Sequence, residues 1–179
     1  MSSNTTAALT QAMPSADSNP RLIATTHAAD GTSIFSADRE IPLFRPFGPA
    51  GSSFAVFDRR GTVPVNNQEV VGEFPETIPR CPPSGVIFCI TNIAGNFTVP
   101  MHRTLSMDYA VVLSGEIVLR LDNGDERTVR AGEFIIQGGV NHQWINRTNE
   151  TCRTMFVTVS SEKIKLADGT ELEETVLKR

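Results

Sequence analysis

The sequence predicts an all-β fold, an antiparallel sandwich or barrel built as one domain. From residue 85 to residue 160, short runs rich in apolar and β-branched residues follow one another, such as GVIFCITNIA and RTMFVTVS. Turns that contain glycine separate these runs at 114–115, 123–124 and 138–139. Two proline-rich segments, 41–67 and 73–85, precede these runs, and their prolines exclude long helices there.

The elements follow in order along the 179 residues. Residues 1–19 are small and polar, which predicts a disordered, flexible tail, and 20–179 form the single domain with a barrel core at about 85–160. Two short apolar runs flank Asp30-Gly31, a dipeptide typical of a hairpin turn. The proline-rich segments predict loops and edge strands draped over a barrel mouth. The end of the chain, 163–179, contains an Asp168-Gly169 turn, and its pattern fits helix and strand equally.

The composition of the chain excludes some classes of binding partner. The chain has 16 basic and 20 acidic side chains and a net charge of −4, so it lacks the cationic surface that nucleic acid or an anionic membrane requires. No apolar run approaches the roughly 20 residues needed to cross a bilayer, and the N-terminus lacks the pattern of a signal peptide. We therefore expect a soluble, cytoplasmic protein whose partner is a small molecule, with its three cysteines reduced.

Strand parity groups a set of polar side chains. Alternate residues of a strand share a face, so His102, Thr104, Ser106 and Asp108 should point the same way. Further along, His142 follows two glycines, and Trp144 and Asn146 have its parity. The two groups together predict a polar cluster inside the barrel.

These motifs resemble those of the cupin family of small β-barrels. In the first motif His102 stands where the family has a histidine, Asp108 where it has a glutamate, and Gly115 follows six residues later. The second motif is similar at four positions and has Gln137 in place of the usual proline. Those four positions are Gly132, Gly139, His142 and Asn146.

Over roughly residues 20–160 the chain is similar to a narrower subgroup of single-domain cupins with the form MHRT-x-S-x-DY-x-VVL-x-GE. Members of this subgroup often accompany fungal polyketide and other secondary-metabolite pathways. The resemblance implies a small-molecule enzyme acting on a substrate in the barrel, by dehydration, isomerisation, decarboxylation or metal-assisted oxidation. Because one fold hosts many chemistries, it does not select among these reactions, and a non-catalytic metabolite-binding module is the alternative.

The ligand set leaves two interpretations open. In the first, His102, Asp108 and His142 form a two-histidine, one-carboxylate set that holds Fe(II), Zn(II) or Mn(II). Thr104 replaces the family's second histidine, and its neutral hydroxyl is a poor ligand for such an ion. In the second interpretation the pocket holds no metal, and a histidine transfers a proton while Asp108 orients it.

Other side chains are candidates for contact with the substrate. Thr104, Gln137, Trp144 and Phe134 are the predicted substrate-binding residues, although core packing is the favoured alternative for Phe134, as it is for Phe88. His27 lies in the N-terminal hairpin, where a structural hydrogen bond is favoured over a role in the pocket. We also expect a homodimer in which N-terminal strands or hairpins pair with the partner's sheet and cover an exposed edge.

Overall fold

The computed structural model describes residues 15–69, 72 and 76–175, and within them the chain is all-β. No helix among these residues is long and apolar enough to cross a membrane. Ten strands follow one another: β1 Arg21–His27, β2 Ser33–Glu40, β3 Ser53–Arg60, β4 Val86–Ile93, β5 Ser106–Ser114, β6 Glu116–Leu121, β7 Glu126–Arg130, β8 Phe134–Gly138, β9 His142–Ile145 and β10 Cys152–Ser160.

The strands form three antiparallel sheets. β1 and β2 make the predicted hairpin, a five-stranded sheet has the order β3-β4-β10-β5-β8, and a three-stranded sheet has the order β7-β6-β9. The two larger sheets are not joined by a continuous ladder into a closed barrel. Isolated bridges link them instead, because the segment between β4 and β5 pairs with β9 at Thr98–Ile145 and at His102–His142. The all-β, antiparallel prediction is confirmed.

The main core lies between the two larger sheets. Val112 of β5 and Cys152 of β10 have no exposed surface, and Ile117 of β6 is 1% exposed. They pack with Trp144 of β9 in one cluster. Full burial of an aliphatic side chain of this size contributes about 1.5–3 kcal/mol, so this cluster is what holds the sheets face to face.

A second apolar cluster attaches the N-terminal hairpin. Leu22 of β1 packs against Phe57 of β3 and Ile90 of β4, on the outer face of the five-stranded sheet. Residues 15–19, which we expected to belong to the flexible tail, are held against the same sheet. The buried Arg153 donates hydrogen bonds to the carbonyl oxygens of Ala16 and Ser18 at 2.7 and 2.6 Å. The rest of the predicted tail, residues 1–14, lies outside the described residues.

The turn between β5 and β6 requires glycine. Gly115 has a φ of 76°, a conformation that side chains with a Cβ rarely adopt. A Cβ at this position would also lie 3.2 Å from the Cα of Cys152. The glycine therefore lets β5 turn directly into β6 while β10 passes close beside it.

The segment after β10 forms an extended turn. Lys165 and Glu171 make a β-bridge around Gly169, and the amide of Thr175 donates to the carbonyl oxygen of Arg103 at 3.0 Å. Residues 163–175 thus form neither a helix nor a regular strand, unlike both alternatives that the sequence left open. Residues 176–179 lie outside the described part. The segment runs beside the start of β5, where the candidate site begins.

Candidate functional site

A cavity of about 770 Å³ opens between the two larger sheets. Its wall is largely apolar, with Ile87, Ile93, Phe97, Trp144 and Phe156 among the lining residues. One group of its polar lining residues comes from residues 102–108 and from β8 and β9. This group consists of His102, Thr104, Ser106, Asp108, Gln137 and His142. The structure brings these residues to one cavity, although His102 and Thr104 precede β5 and do not lie on it.

The two histidines face each other across the bridge between the sheets. The backbone amide of His102 donates to the carbonyl oxygen of His142 at 2.8 Å, and the amide of His142 donates back to His102 at 2.8 Å. Their ring centroids lie 4.2 Å apart, at an interplanar angle of 53°. The reciprocal bonds fix both side chains at one level of the cavity.

His142 has both ring nitrogens engaged. Its Nδ1–H donates to the carbonyl oxygen of Val140 at 3.0 Å, which leaves the Nε2 lone pair to accept from the amide nitrogen of Gln137 at 3.2 Å. Burial lowers the pKa of His142 to about 4, and the nearby His102 acts in the same direction. His142 is therefore neutral at physiological pH and serves as a fixed acceptor.

Gln137 connects His142 to Asp108. Its second amide hydrogen is donated to Oδ2 of Asp108 at 3.2 Å, and the Ser106 hydroxyl donates to Oδ1 at 2.6 Å. Reversing the amide would place its oxygen against the carboxylate and the His142 lone pair, so the observed orientation is the favourable one. Burial raises the pKa of Asp108, and these two hydrogen bonds oppose that rise.

His102 differs from His142 in having a free nitrogen. Its Nδ1–H donates to the carbonyl oxygen of Pro100 at 2.8 Å, and its Nε2 has no hydrogen-bond partner among the described residues. Burial lowers the pKa of His102 and the charge of Arg80 acts in the same direction, against the Pro100 hydrogen bond. The ring is thus neutral near pH 7, with a lone pair able to accept a proton.

The described residues do not fit a three-ligand metal site. They contain no group of three or more His, Cys, Asp or Glu side chains that could hold an ion. The Nε2 of His142 and one oxygen of Asp108 both accept from the Gln137 amide, and the other oxygen accepts from Ser106. The predicted metal set of His102, Asp108 and His142 is therefore not assembled in this arrangement, because an amide donor occupies the position between its members.

The predicted substrate-binding residues divide in two. Thr104, Gln137 and Trp144 line the cavity, but Phe134 does not and is 82% exposed. Phe134 has the opposite parity to Gln137 on β8, so it points away from the core, and the predictions of a cavity wall and of core packing are both corrected. Phe88 is likewise outside the cavity lining and 37% exposed.

His27 ends β1 as an exposed residue outside the cavity. The described chain gives its side chain no hydrogen bond, so neither the structural bond nor the pocket role that we considered for it is found.

Sequence reasoning missed the residues at the cavity mouth. Arg80 of the proline-rich segment and Glu174 of the C-terminal segment both line the cavity and form an ion pair. The hydroxyl oxygens of Thr104 and Thr158 are buried without partners. No spacing in the sequence joins Arg80 to Glu174, because 94 residues separate them. Within the described part of the proline-rich segment, residues 78–84 line the cavity and form no regular strand or helix.

Comparisons with known proteins agree with these motifs. A family model described as "Cupin domain" matches residues 90–159. Two Diaporthe leptostromiformis proteins, phomopsin biosynthesis cluster proteins C' and D, are each 33% identical over 159 residues, 84% of this chain and 82% of each relative. The cupin-domain-containing oxidoreductase virC of Hypocrea virens is 38% identical over 88 residues, 48% of this chain and 45% of that protein.

Among solved structures, the polyketide cyclase RemF from Streptomyces resistomycificus has a TM-score of 0.46 and 20% identity, covering 66% of this chain and 73% of that chain. The region that the family model matches, 90–159, contains the whole polar cluster from His102 to His142.

Proposed function

This chain belongs to the cupin family, and on that premise we propose that it is a small-molecule enzyme of secondary metabolism in which His102 transfers a proton. The observation that carries the proposal is the free Nε2 of His102 in a largely apolar cavity. A neutral imidazole is a good general base near pH 7, and a low-dielectric cavity strengthens its interaction with a polarised C–H bond. The reaction is a dehydration, isomerisation or decarboxylation.

The rest of the cluster positions His102 and the substrate. The Pro100 carbonyl fixes the tautomer of His102, because an oxygen acceptor at Nδ1 requires the hydrogen there. Thr104 and Thr158 line the cavity, and their hydroxyl oxygens are buried without partners, so a small rotation of either side chain would present a donor to a substrate carbonyl oxygen. Such a hydrogen bond stabilises the negative charge that develops on the oxygen as His102 removes the neighbouring proton.

Trp144 supports an aromatic or polyketide-like substrate. It is 6% exposed, lines the cavity, and packs edge-on against His142 with ring centroids 5.7 Å apart. A volume of about 770 Å³ is within the range of pockets that enclose drug-sized molecules. The names of the Diaporthe relatives refer to a biosynthesis cluster, which supports a role in secondary metabolism.

A second candidate is an oxidoreductase. The names of several relatives, virC among them, contain this word, and that observation alone favours it. Consumption of O₂ during turnover distinguishes oxidation from proton transfer.

The proposal is tested with a reporter of general-base catalysis, 5-nitro-1,2-benzisoxazole. A base removes the C3 proton of this compound, the electron pair forms a nitrile, and the N–O bond breaks to give a coloured phenolate. We expect His102→Gln to lower the rate of phenolate formation by about a hundredfold, the size of a typical general-base contribution. His27→Gln, which changes an exposed histidine outside the cavity, serves as the matched control and should keep the wild-type rate.

Equal rates for the wild type and His102→Gln, with both proteins folded, would contradict proton transfer by His102. That result would favour the alternative of a non-catalytic metabolite-binding module.

A further inference from the structure

One ion pair stands at the mouth of the cavity. The guanidinium of Arg80 donates to the carboxylate of Glu174, and the side chains are 37% and 34% exposed. Both residues line the cavity that contains His102. Arg80 also lies near enough to His102 for its charge to lower the pKa of that ring. The ion pair is therefore partly exposed to solvent and also borders the end of the cavity that contains His102.

Arg80 is the one lysine or arginine among the described residues that line the cavity. Three acidic residues line the cavity as well, and two of them form no ion pair with Arg80. Asp108 is held by Ser106 and Gln137, and Glu162 is exposed at the rim. Of the three acidic lining residues, only Glu174 forms an ion pair with the guanidinium of Arg80.

We propose that Arg80 is a specificity-determining residue that binds the carboxylate of the substrate in the place now taken by Glu174. The substrate is then an organic acid with an apolar, aromatic body. This inference rests on the proposed function, because it assigns the substrate class to the same cavity.

The chemistry of the two ends of the cavity supports this assignment. Arginine presents a planar fork of donors that matches a carboxylate, so one carboxylate replaces another at Arg80 without loss of geometry. A partly exposed ion pair contributes little to stability, so releasing Glu174 from Arg80 costs little. Thr104 and Thr158 line the same cavity, and a small rotation of either side chain would turn its unpartnered hydroxyl toward an uncharged oxygen of the same molecule.

Trp144 provides the readout, since it is the only tryptophan of the chain and lines the cavity. Its fluorescence is followed while the full-length protein is titrated with 4-phenylbutanoate or with the uncharged 4-phenylbutanamide. We expect Arg80→Gln to weaken binding of the carboxylate by about tenfold and to leave binding of the amide within about twofold. Unchanged amide binding shows that the variant is folded.

Glu174→Gln should change the affinity for 4-phenylbutanoate in the opposite direction from Arg80→Gln. Removing the competing carboxylate should tighten binding of 4-phenylbutanoate by about two- to fivefold, the range that a partly exposed ion pair allows, without changing that of the amide. Glu173→Gln is the matched control, because Glu173 is the neighbouring acid, pairs with Lys163 and does not line the cavity. We expect this control to bind both compounds as the wild type does.

Equal binding of the acid and the amide in Glu174→Gln would overturn the assignment, as would an unchanged carboxylate affinity in Arg80→Gln. The His102→Gln variant separates this result from the proposed function. If it keeps the preference for the carboxylate but loses base catalysis, both inferences stand. If the preference is absent from all proteins while His102→Gln still slows phenolate formation, only the role of Arg80 fails.

Discussion

Burial of a neutral His142 makes the protein sensitive to acid. In the unfolded chain this histidine binds a proton near its ordinary pKa of 6.5, whereas in the folded chain it binds one only near a pKa of about 4. Between these values the unfolded state carries more protons, so the free energy of unfolding falls as the pH falls. At pH 4.5 the loss from this one side chain is about 2.5 kcal/mol, at about 1.4 kcal/mol per pH unit over nearly two units.

The assay is urea unfolding at pH 7 and at pH 4.5, for the wild type and for His142→Gln. Because glutamine does not titrate, the variant should lose about 2.5 kcal/mol less than the wild type between the two pH values. Burial also lowers the pKa of His102 and raises that of Asp108, which shifts stability in opposite directions. The difference between the two proteins gives the contribution of His142 together with its coupling to the neighbouring His102. Equal losses in the wild type and His142→Gln would refute the reasoning.

Four further outcomes are expected. The rate of phenolate formation should rise with pH and reach half its maximum below pH 6.5, because the pKa of His102 is lowered and only the neutral ring accepts a proton; a midpoint above 6.5 in a pH–rate profile would contradict this. After dialysis against zinc, elemental analysis should find no stoichiometric zinc in the wild type and the same zinc content in Asp108→Ala, because the Gln137 amide lies between His142 and the Asp108 carboxylate. Gly115→Ala should lower the free energy of unfolding by about 1–3 kcal/mol through its positive φ, measured in urea. We also expect a homodimer by analytical ultracentrifugation, with Ile136→Asp shifting it to monomer, because β8 is an edge strand whose Ile136 is 73% exposed.

Patterns of period two predicted the all-β fold, and the Asp30-Gly31 turn predicted the N-terminal hairpin. His102 and Asp108 do line one cavity, but His102 precedes β5, so the two residues do not share a strand as the alternation suggested. Alternation does not say which face of a strand meets the core when both faces are apolar. That is why Phe134, in the apolar run of β8, was placed in the wrong environment.

Contacts between distant segments could not be predicted in this way. The direction of the Gln137 amide depends on where His142 and Asp108 lie in three dimensions, and that direction is what separates the predicted metal ligands. The pairing of Arg80 with Glu174 likewise depends on how two segments without regular structure cross the mouth. Neither contact has a spacing signature.

The reciprocal backbone bridge between His102 and His142 bears on how local stability is distributed in the molecule. Two hydrogen bonds of 2.8 Å tie β9 to the segment before β5 at the level of the two histidine rings. The segments that carry Arg80 and Glu174 are instead joined beside the cavity by one partly exposed ion pair, which contributes little to stability. Hydrogen exchange should therefore be slow at the amides of His102 and His142 and fast in the segments that carry Arg80 and Glu174. The backbone around the two histidines and the segments that carry the ion pair are thus expected to differ in local stability.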